Sequence, residues 1–169
     1  MERAVAAAYL AEAIRVLRQY KGLAERAVAQ AGPDGVFQAP DPESNSIAII
    51  LQHMAGNMRS RWTDFLTTDG EKADRNRDAE FELRAGTAFN DLMASWEDGW
   101  RRTFAAIEAV GPDDLLREVR IRGEPLTVLH AIQRQVAHYS YHVGQIVLLA
   151  RHVRGAEWQT LSMPRRPKG

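Results

Sequence analysis

Apolar residues recur every three or four positions along four long segments of this chain, and this spacing constrains the fold more than any other feature. Such spacing places the apolar side chains on one face of a helix. The four segments run from about residue 2 to 30, 44 to 67, 87 to 110 and 127 to 154. Because each helix must bury its apolar face against others, the sequence predicts an all-α fold, a four-helix bundle.

Three stretches lie outside these helices. Residues 119–122 alternate apolar and polar side chains before Gly123-Glu124-Pro125, which predicts a short strand or β-hairpin before the last helix. The charged stretch 69–84 contains few apolar residues, and we interpret it as a solvated loop that has room for a short turn. Residues 155–169 form a C-terminal tail, in which Trp158 and Leu161 are expected to pack against the bundle. A length of 169 residues predicts a single domain, 1–169.

Composition excludes several classes of function. Lys and Arg number 22 and Asp and Glu number 22, so no net charge draws the chain to nucleic acid or to a membrane surface. The chain has no cysteine, which excludes disulfides, a cysteine nucleophile and thiolate-bound metal centres. Glu12 and Arg15 interrupt the N-terminal alanine-rich run too early for a secretory signal, and no apolar run is long enough to span a bilayer. We expect a cytoplasmic protein that binds neither nucleic acid nor membrane.

Three histidines are the strongest candidates for a chemical site. His138 and His142 lie four residues apart in the last predicted helix, and His53 lies in the second. Positions four apart differ by roughly 40° around a helix, so both imidazoles can reach one point. Two imidazoles from one helix and a third from a neighbour make a metal site with open coordination positions.

The alternative is that these are ordinary histidines at the border of the core, each bonded to a carbonyl group or water. The chain has no Glu-x-x-His, so a ferritin-like dinuclear carboxylate site is not expected. It also lacks the His-Glu-x-x-His of helical zinc proteases. His130 and His152 are each displaced by roughly 80° from the nearer member of the pair, and we interpret them as structural or surface residues.

Two further residues are candidates for substrate binding. Arg134 lies one turn before His138 and can bind a carboxylate with two hydrogen bonds, although a surface ion pair explains it equally well. Asn57 lies one turn after His53 and is expected to orient that histidine or contact substrate, although amides that pack between helices are commoner. Gly144 and Gln145 are interpreted as packing residues, because a glycine inside a helix suggests close approach of a neighbour.

The string from His138 to Ile146, which reads His-Tyr-Ser-Tyr-His-Val-Gly-Gln-Ile, resembles the last-helix motif of the DinB/YfiT-like superfamily. The segment 46–57, which contains His53, resembles the second-helix motif of the same superfamily. Residues 120–125, with Glu157-Trp158 and Leu161-Ser162 in the tail, look like an uncharacterised branch of that superfamily. The likeness covers nearly the whole chain.

The resemblance implies a compact four-helix bundle, often a homodimer, with a divalent metal held by His53, His138 and His142. Zinc and nickel are the metals that it implies. Characterised members of the superfamily include transferases and isomerases that use low-molecular-weight thiols. The expected partners are therefore a small-molecule substrate, such a thiol and a second copy of the chain.

These observations lead to two hypotheses of different classes. The first is a metal-dependent enzyme, a thiol S-transferase or a hydrolase, in which three neutral imidazoles leave the full positive charge on the metal and so activate a bound water or thiol. The second is a non-catalytic homodimeric binding protein whose metal site is structural or vestigial. A structural site is closed by a fourth protein ligand, and the sequence offers no obvious fourth ligand, which favours the enzyme.

Overall fold

The protein is described by a computed structural model that covers residues 2–163. Four α-helices make up most of it, which confirms the predicted all-α bundle. Their bounds are Glu2–Gly35 for α1, Ile47–Trp62 for α2, Phe89–Glu108 for α3 and Val128–Arg154 for α4. Residues 164–169 of the predicted tail lie outside the described residues.

Local chemistry fixes where these helices begin and end. The hydroxyl groups of Ser46 and Thr127 accept hydrogen bonds from the amides of Ile49 (3.3 Å) and His130 (3.1 Å), and so cap α2 and α4. The regular part of α1 is interrupted at Gly32, whose φ of 76° is a conformation that glycine adopts easily. The end of α2 is earlier than predicted, because the left-handed Asp64 (φ 48°) starts a turn instead.

The predicted hairpin is confirmed before α4. Strand β1, Glu118–Ile121, pairs antiparallel with β2, Glu124–Thr127. The two turn residues, Arg122 and Gly123, both have positive φ, as a tight hairpin turn requires. Their amides donate to the two carboxylate oxygens of Asp69, at 2.8 and 2.7 Å. The hairpin is therefore fastened to the connection between α2 and α3.

The bundle is built from two closely packed pairs of helices. Helix α1 packs mainly against α4, and α2 packs mainly against α3. Trp96, Trp100 and Tyr139 fill the centre, and each is completely buried. The Tyr139 hydroxyl accepts from Trp62 Nε1 at 3.0 Å and donates to Asn57 Oδ1 at 3.1 Å. This chain of hydrogen bonds joins α2 to α4 beside the candidate histidines.

The described part of the tail returns to the bundle as predicted. Trp158 and Leu161 are half-buried against the core, and Gln30 exchanges hydrogen bonds with the backbone of Gln159. None of the helices in residues 2–163 combines the length and apolar character needed to cross a membrane.

Candidate metal centre

The fold brings the three predicted histidines together. One ring nitrogen from each of His53, His138 and His142 lies within 4.8 Å of the others. Within α4, the Nε2 atoms of His138 and His142 are 3.0 Å apart. His53 and His142 are buried, with 3% and 7% of their surface exposed, and His138 is half-buried. Helix α2 carries one of the three imidazoles and helix α4 carries the other two.

Each imidazole uses its other nitrogen for a hydrogen bond to an oxygen. His53 Nδ1 lies 2.8 Å from Glu80 Oε2, and His142 Nδ1 lies 2.8 Å from Gln145 Oε1. A longer contact of 3.4 Å joins His138 Nδ1 to Gln135 Oε1. These oxygens accept hydrogen bonds, so each Nδ1 donates to one of them and each Nε2 is left to face the cluster. This second layer of contacts is the arrangement that metal-binding histidines use.

The positions of the Nε2 atoms fit a cation. Those of His138 and His142 face each other at 3.0 Å, close enough for one ion to contact both. Neutral imidazoles are among the preferred ligands of zinc and nickel. The donor set therefore suits a divalent metal.

Burial also keeps these rings neutral. Loss of solvent, followed by the neighbouring histidines, lowers the pKa of His138 to about 3. Loss of solvent lowers the pKa of His142 to about 4, although its hydrogen bond to Gln145 opposes the change. A ring nitrogen must be unprotonated to bind a metal, so both residues are in the ligand form at neutral pH.

Glu80 is the functional residue that sequence reasoning missed. It lies in a single turn of 3-10 helix, Asp78–Phe81, inside the stretch 69–84. The short turn allowed for in this stretch is therefore present, but the interpretation of the stretch as solvated was wrong, because Glu80 is buried and the Arg75 side chain is only 2% exposed. The two form a bidentate ion pair at 2.7 and 2.8 Å. Burial opposes the charge on Glu80, but the bonds from Arg75 and His53 hold its pKa below the ordinary value.

Helix α2 is shaped to receive this carboxylate. Gln52 donates to the backbone carbonyls of Ala79, Glu80 and Glu82, which fastens the turn to the helix. A methyl group on Gly56 would lie 2.4 Å from Glu80 Oε1, so glycine is required at that position for the carboxylate to reach His53. The only sequence signal for this contact is a glycine one turn after His53, and nothing in the sequence links it to a carboxylate 27 residues away from that histidine.

The three histidines line a cavity of about 390 Å³, large enough for a small molecule. Phe81 stacks on His53 with ring centroids 4.6 Å apart and forms part of the wall. Both predicted substrate-binding residues, Arg134 and Asn57, also line this cavity. Asn57 has its oxygen engaged by Tyr139 and has no hydrogen bond to His53 among the described residues, so its predicted role in orienting that ring has no support. A role in binding substrate stays a prediction for both.

Four other predicted assignments can be compared with the structure. His130 and His152 are exposed and stand apart from the cluster, as expected. The packing role assigned to Gly144 was wrong, because this glycine is exposed and a Cβ there would meet no atom within 4 Å. Gln145 is half-buried and orients His142, while its amide nitrogen donates to the Tyr141 hydroxyl at 3.2 Å.

Comparison with known proteins identifies the family but not the chemistry. Residues 4–167 match a family described as "Protein of unknown function (DUF1572)". No curated protein matches the sequence. Since the match covers nearly the whole chain, the protein belongs to the DUF1572 family.

Proposed function

We propose that this protein is a divalent-metal-dependent enzyme of the DinB/YfiT-like kind, in which His53, His138 and His142 hold zinc or nickel. The metal would serve to activate a thiol or water for group transfer or hydrolysis. The observation that carries the proposal is the convergence of three imidazoles, two of them buried and one half-buried, whose Nδ1 atoms are already bonded elsewhere. The likeness of the two histidine motifs to the DinB/YfiT-like pattern supports the same assignment.

The bound ion would supply Lewis acidity, lowering the pKa of a coordinated water or thiol towards neutrality. The chain's own residues do the rest. Glu80 and Gln145 keep the Nδ1 protons of His53 and His142 in place and fix the orientation of both rings. Phe81 covers one face of His53 and excludes water from that side of the site.

The cavity beside the histidines would hold the substrate. It is lined by residues of α2, of α4 and of the connection that carries Phe81, and it is partly open to solvent. The chain has no cysteine, so a thiol that takes part in the reaction must arrive as a separate low-molecular-weight compound. Arg134 and Asn57 are the candidates for contact with that compound or with its acceptor.

The competing function is a binding protein with a structural metal. A structural site is normally closed by four protein ligands, whereas a catalytic one leaves a position free. Within residues 2–163, no fourth histidine or carboxylate joins the cluster, which favours an open site. Cobalt substitution separates the two functions: addition of a small thiol should change the visible spectrum of an open site and leave a closed one unaltered.

The first test is the metal content of untagged protein, measured by elemental mass spectrometry. The wild type is compared with the triple variant His53→Ala/His138→Ala/His142→Ala and with His130→Ala, which removes an exposed histidine outside the cluster. We expect near-stoichiometric zinc or nickel in the wild type and in His130→Ala, and none in the triple variant. Wild-type protein that carries no metal and takes up neither ion on reconstitution would refute the proposal.

The proposal also covers domain organisation, location and oligomeric state, of which the oligomeric state rests on the resemblance alone. We propose that the chain is a single domain, 1–169, that it acts in the cytoplasm and that it forms a homodimer. Light scattering at several protein concentrations measures the mass directly, and a 19.0 kDa monomer throughout would refute the dimer.

A further inference from the structure

Arginine side chains dominate the polar surface of the cavity beside the histidines. The five arginines that line it are Arg61, Arg75, Arg77, Arg122 and Arg134. Within the described part of the chain, no Asp or Glu is among its lining residues. Like charges gathered in a concave surface repel one another and raise the local concentration of anions. The charge of this cavity therefore depends on how many of these arginines are neutralised by neighbouring carboxylates.

The neighbouring carboxylates are too few to balance these arginines. Glu71 is shared by three guanidinium groups, from Arg61 at 3.5 Å, Arg75 at 3.1 Å and Arg122 at 3.5 Å. Glu80 forms ion pairs with Arg75 and with His53. Within the described part of the chain, the only other carboxylate that forms an ion pair with one of these arginines is Asp78, which lies 3.7 Å from Arg77. The Asp69 carboxylate, which accepts from the amides of Arg122 and Gly123, also lies near Arg61. Five arginines thus face four carboxylates, an excess of one positive charge before any metal is bound.

Arg61 carries the clearest sign of this imbalance. Its side chain is 5% exposed, and its Nε and Nη1 atoms have no hydrogen-bond partner among residues 2–163. A buried donor without a partner costs about 1–3 kcal/mol, more when it is charged. Burial lowers the pKa of Arg61; nearby Glu71 opposes this change, and nearby Arg134 and Arg75 add to it. The guanidinium groups of Arg61, Arg75 and Arg134 therefore lie close enough for their charges to act on one another.

Arg134 is the arginine best placed to receive a ligand. It is exposed, lines the cavity and makes no ion pair or hydrogen bond with any residue of the described range 2–163. Its side chain is therefore free to form the two parallel hydrogen bonds by which arginine binds carboxylate or phosphate.

The position of the arginines relative to the histidines suggests the shape of the ligand. His53, Asn57 and Arg61 follow one another at four-residue intervals on α2, and Arg134, His138 and His142 do the same on α4. Each helix therefore presents its histidines towards one end of the cavity and an arginine towards the other. Four residues of helix rise about 6 Å, so the arginine end lies roughly one to two turns from the metal centre.

We propose that the cavity binds a small molecule through an oxyanion, a carboxylate or phosphate group, which Arg134 contacts directly while Arg61 adds positive charge from the wall. The reacting group of the same molecule would then lie at the three histidines. The second statement rests on the function proposed above, whereas the anion subsite itself does not require a metal.

Calorimetric titration tests the subsite on metal-free and on zinc-treated protein at one fixed ionic strength. Succinate and inorganic phosphate serve as probes, with succinamide as the neutral counterpart of succinate. We expect at least one anion to bind both forms of the protein and succinamide to bind neither. The tighter of the two anions identifies the ligand as a carboxylate or a phosphate.

Variants locate the binding. Arg134→Gln removes the exposed charge and should weaken the anion about tenfold or more, the loss expected for a charged hydrogen-bonded pair. Arg151→Gln, an exposed arginine on the same helix that does not line the cavity, should bind as the wild type does. Arg61→Lys keeps the buried charge and should have a smaller effect than Arg134→Gln.

Two results would overturn the inference: neither anion binds the metal-free protein, or Arg134→Gln binds the anion as tightly as Arg151→Gln. Zinc titration of the same samples keeps this outcome separate from the proposed function. Protein that binds zinc but no anion refutes the subsite alone, and protein that binds an anion but no zinc refutes the metal centre alone.

Discussion

At the scale of single residues, the centre depends as much on contacts behind the histidines as on the histidines themselves. His53 is held by Glu80, Glu80 by Arg75, and these contacts fit only because position 56 has no side chain. Partners of this kind typically change metal affinity 10- to 100-fold when they are removed. Glu80 and Gly56 can therefore be tested without altering any metal ligand.

We predict that Gly56→Ala weakens zinc binding about tenfold or more. The added methyl group would lie 2.4 Å from Glu80 Oε1 and so must displace the carboxylate from His53. Alanine is also the better helix former, by about 1 kcal/mol, so lost helix stability cannot explain a weaker site. Competition with a chromophoric chelator gives the affinity.

Glu80→Gln should weaken zinc in the same direction, because an amide is a poorer acceptor for the His53 Nδ1 proton than a carboxylate. Glu82→Gln, two residues further along the chain, is the matched control and should leave the affinity unchanged. Equal zinc affinity in wild type, Gly56→Ala and Glu80→Gln would show that the contact has no role in metal binding.

The buried histidines predict a dependence of stability on pH. An unfolded chain takes up protons at about pH 6.5, whereas His138 and His142 stay neutral in the folded protein down to about pH 3 and 4. The free energy of unfolding is therefore unaffected by these two groups above pH 6.5, and it decreases as the pH falls below that value, because the unfolded chain binds protons that the folded protein does not. Since both rings keep some access to solvent, we expect about 0.5–1 kcal/mol per histidine per pH unit.

Urea unfolding of metal-free protein at pH 7.0 and pH 5.0 measures this effect. The free energy of unfolding should fall more steeply in the wild type than in His138→Gln/His142→Gln. His130→Gln/His152→Gln, which changes two exposed histidines, should follow the wild type. Parallel behaviour of the wild type and the His138/His142 variant would contradict the prediction.

At the scale of elements, helices were predictable and the connection between α2 and α3 was not. Apolar spacing located all four helices, and the alternation before Gly123 located the hairpin, because each pattern is set by neighbours within a few residues. The turn that carries Glu80 is stabilised by Gln52, Arg75 and His53 through specific polar contacts across the chain. Charge alone made it look like a solvated loop.

Helix α4 contains a glycine that its packing does not need. Gly144 is exposed, and a methyl group there would meet no atom within 4 Å. We predict that Gly144→Ala raises the free energy of unfolding by about 0.5–1 kcal/mol, measured by urea titration, through the better helix propensity of alanine.

Gly99→Ala is the contrasting variant for this measurement. Gly99 lies on the face of α3 that packs against α2, and a methyl group there would lie 2.9 Å from the Cε atom of Met58. The Gly99→Ala protein should therefore gain less stability than Gly144→Ala or lose stability. A destabilised Gly144→Ala protein would indicate that this exposed position is covered in solution, for example by a second copy of the chain.

At the scale of the whole molecule, the histidines join the two helix pairs of the bundle. Helix α4 packs mainly against α1, and α2 packs mainly against α3, whereas the histidine cluster spans α2 and α4. His53 and His138 are 85 positions apart in the sequence. That separation is why a sequence can name the three ligands but cannot by itself show that they meet. It also means that the site forms only when the bundle is folded.

We therefore predict that metal stabilises the protein as a whole. Zinc at about 100 times its dissociation constant should add about 2.7 kcal/mol, or roughly 5–10 °C in Tm for a protein of this size. The shift should be present in His130→Ala and absent in His53→Ala. Calorimetry with and without chelator measures it, and an equal shift in His53→Ala would indicate that zinc binds elsewhere.

The space above Gly56 has a consequence for recognising similar sites by sequence. In this chain the second-helix motif is better written His-x-x-Gly than His alone, since the glycine is what admits the supporting carboxylate. A related protein with a larger residue at that position must support its histidine from another direction or leave it unsupported. The residue three places after the histidine would then divide such proteins into two groups that differ in metal affinity.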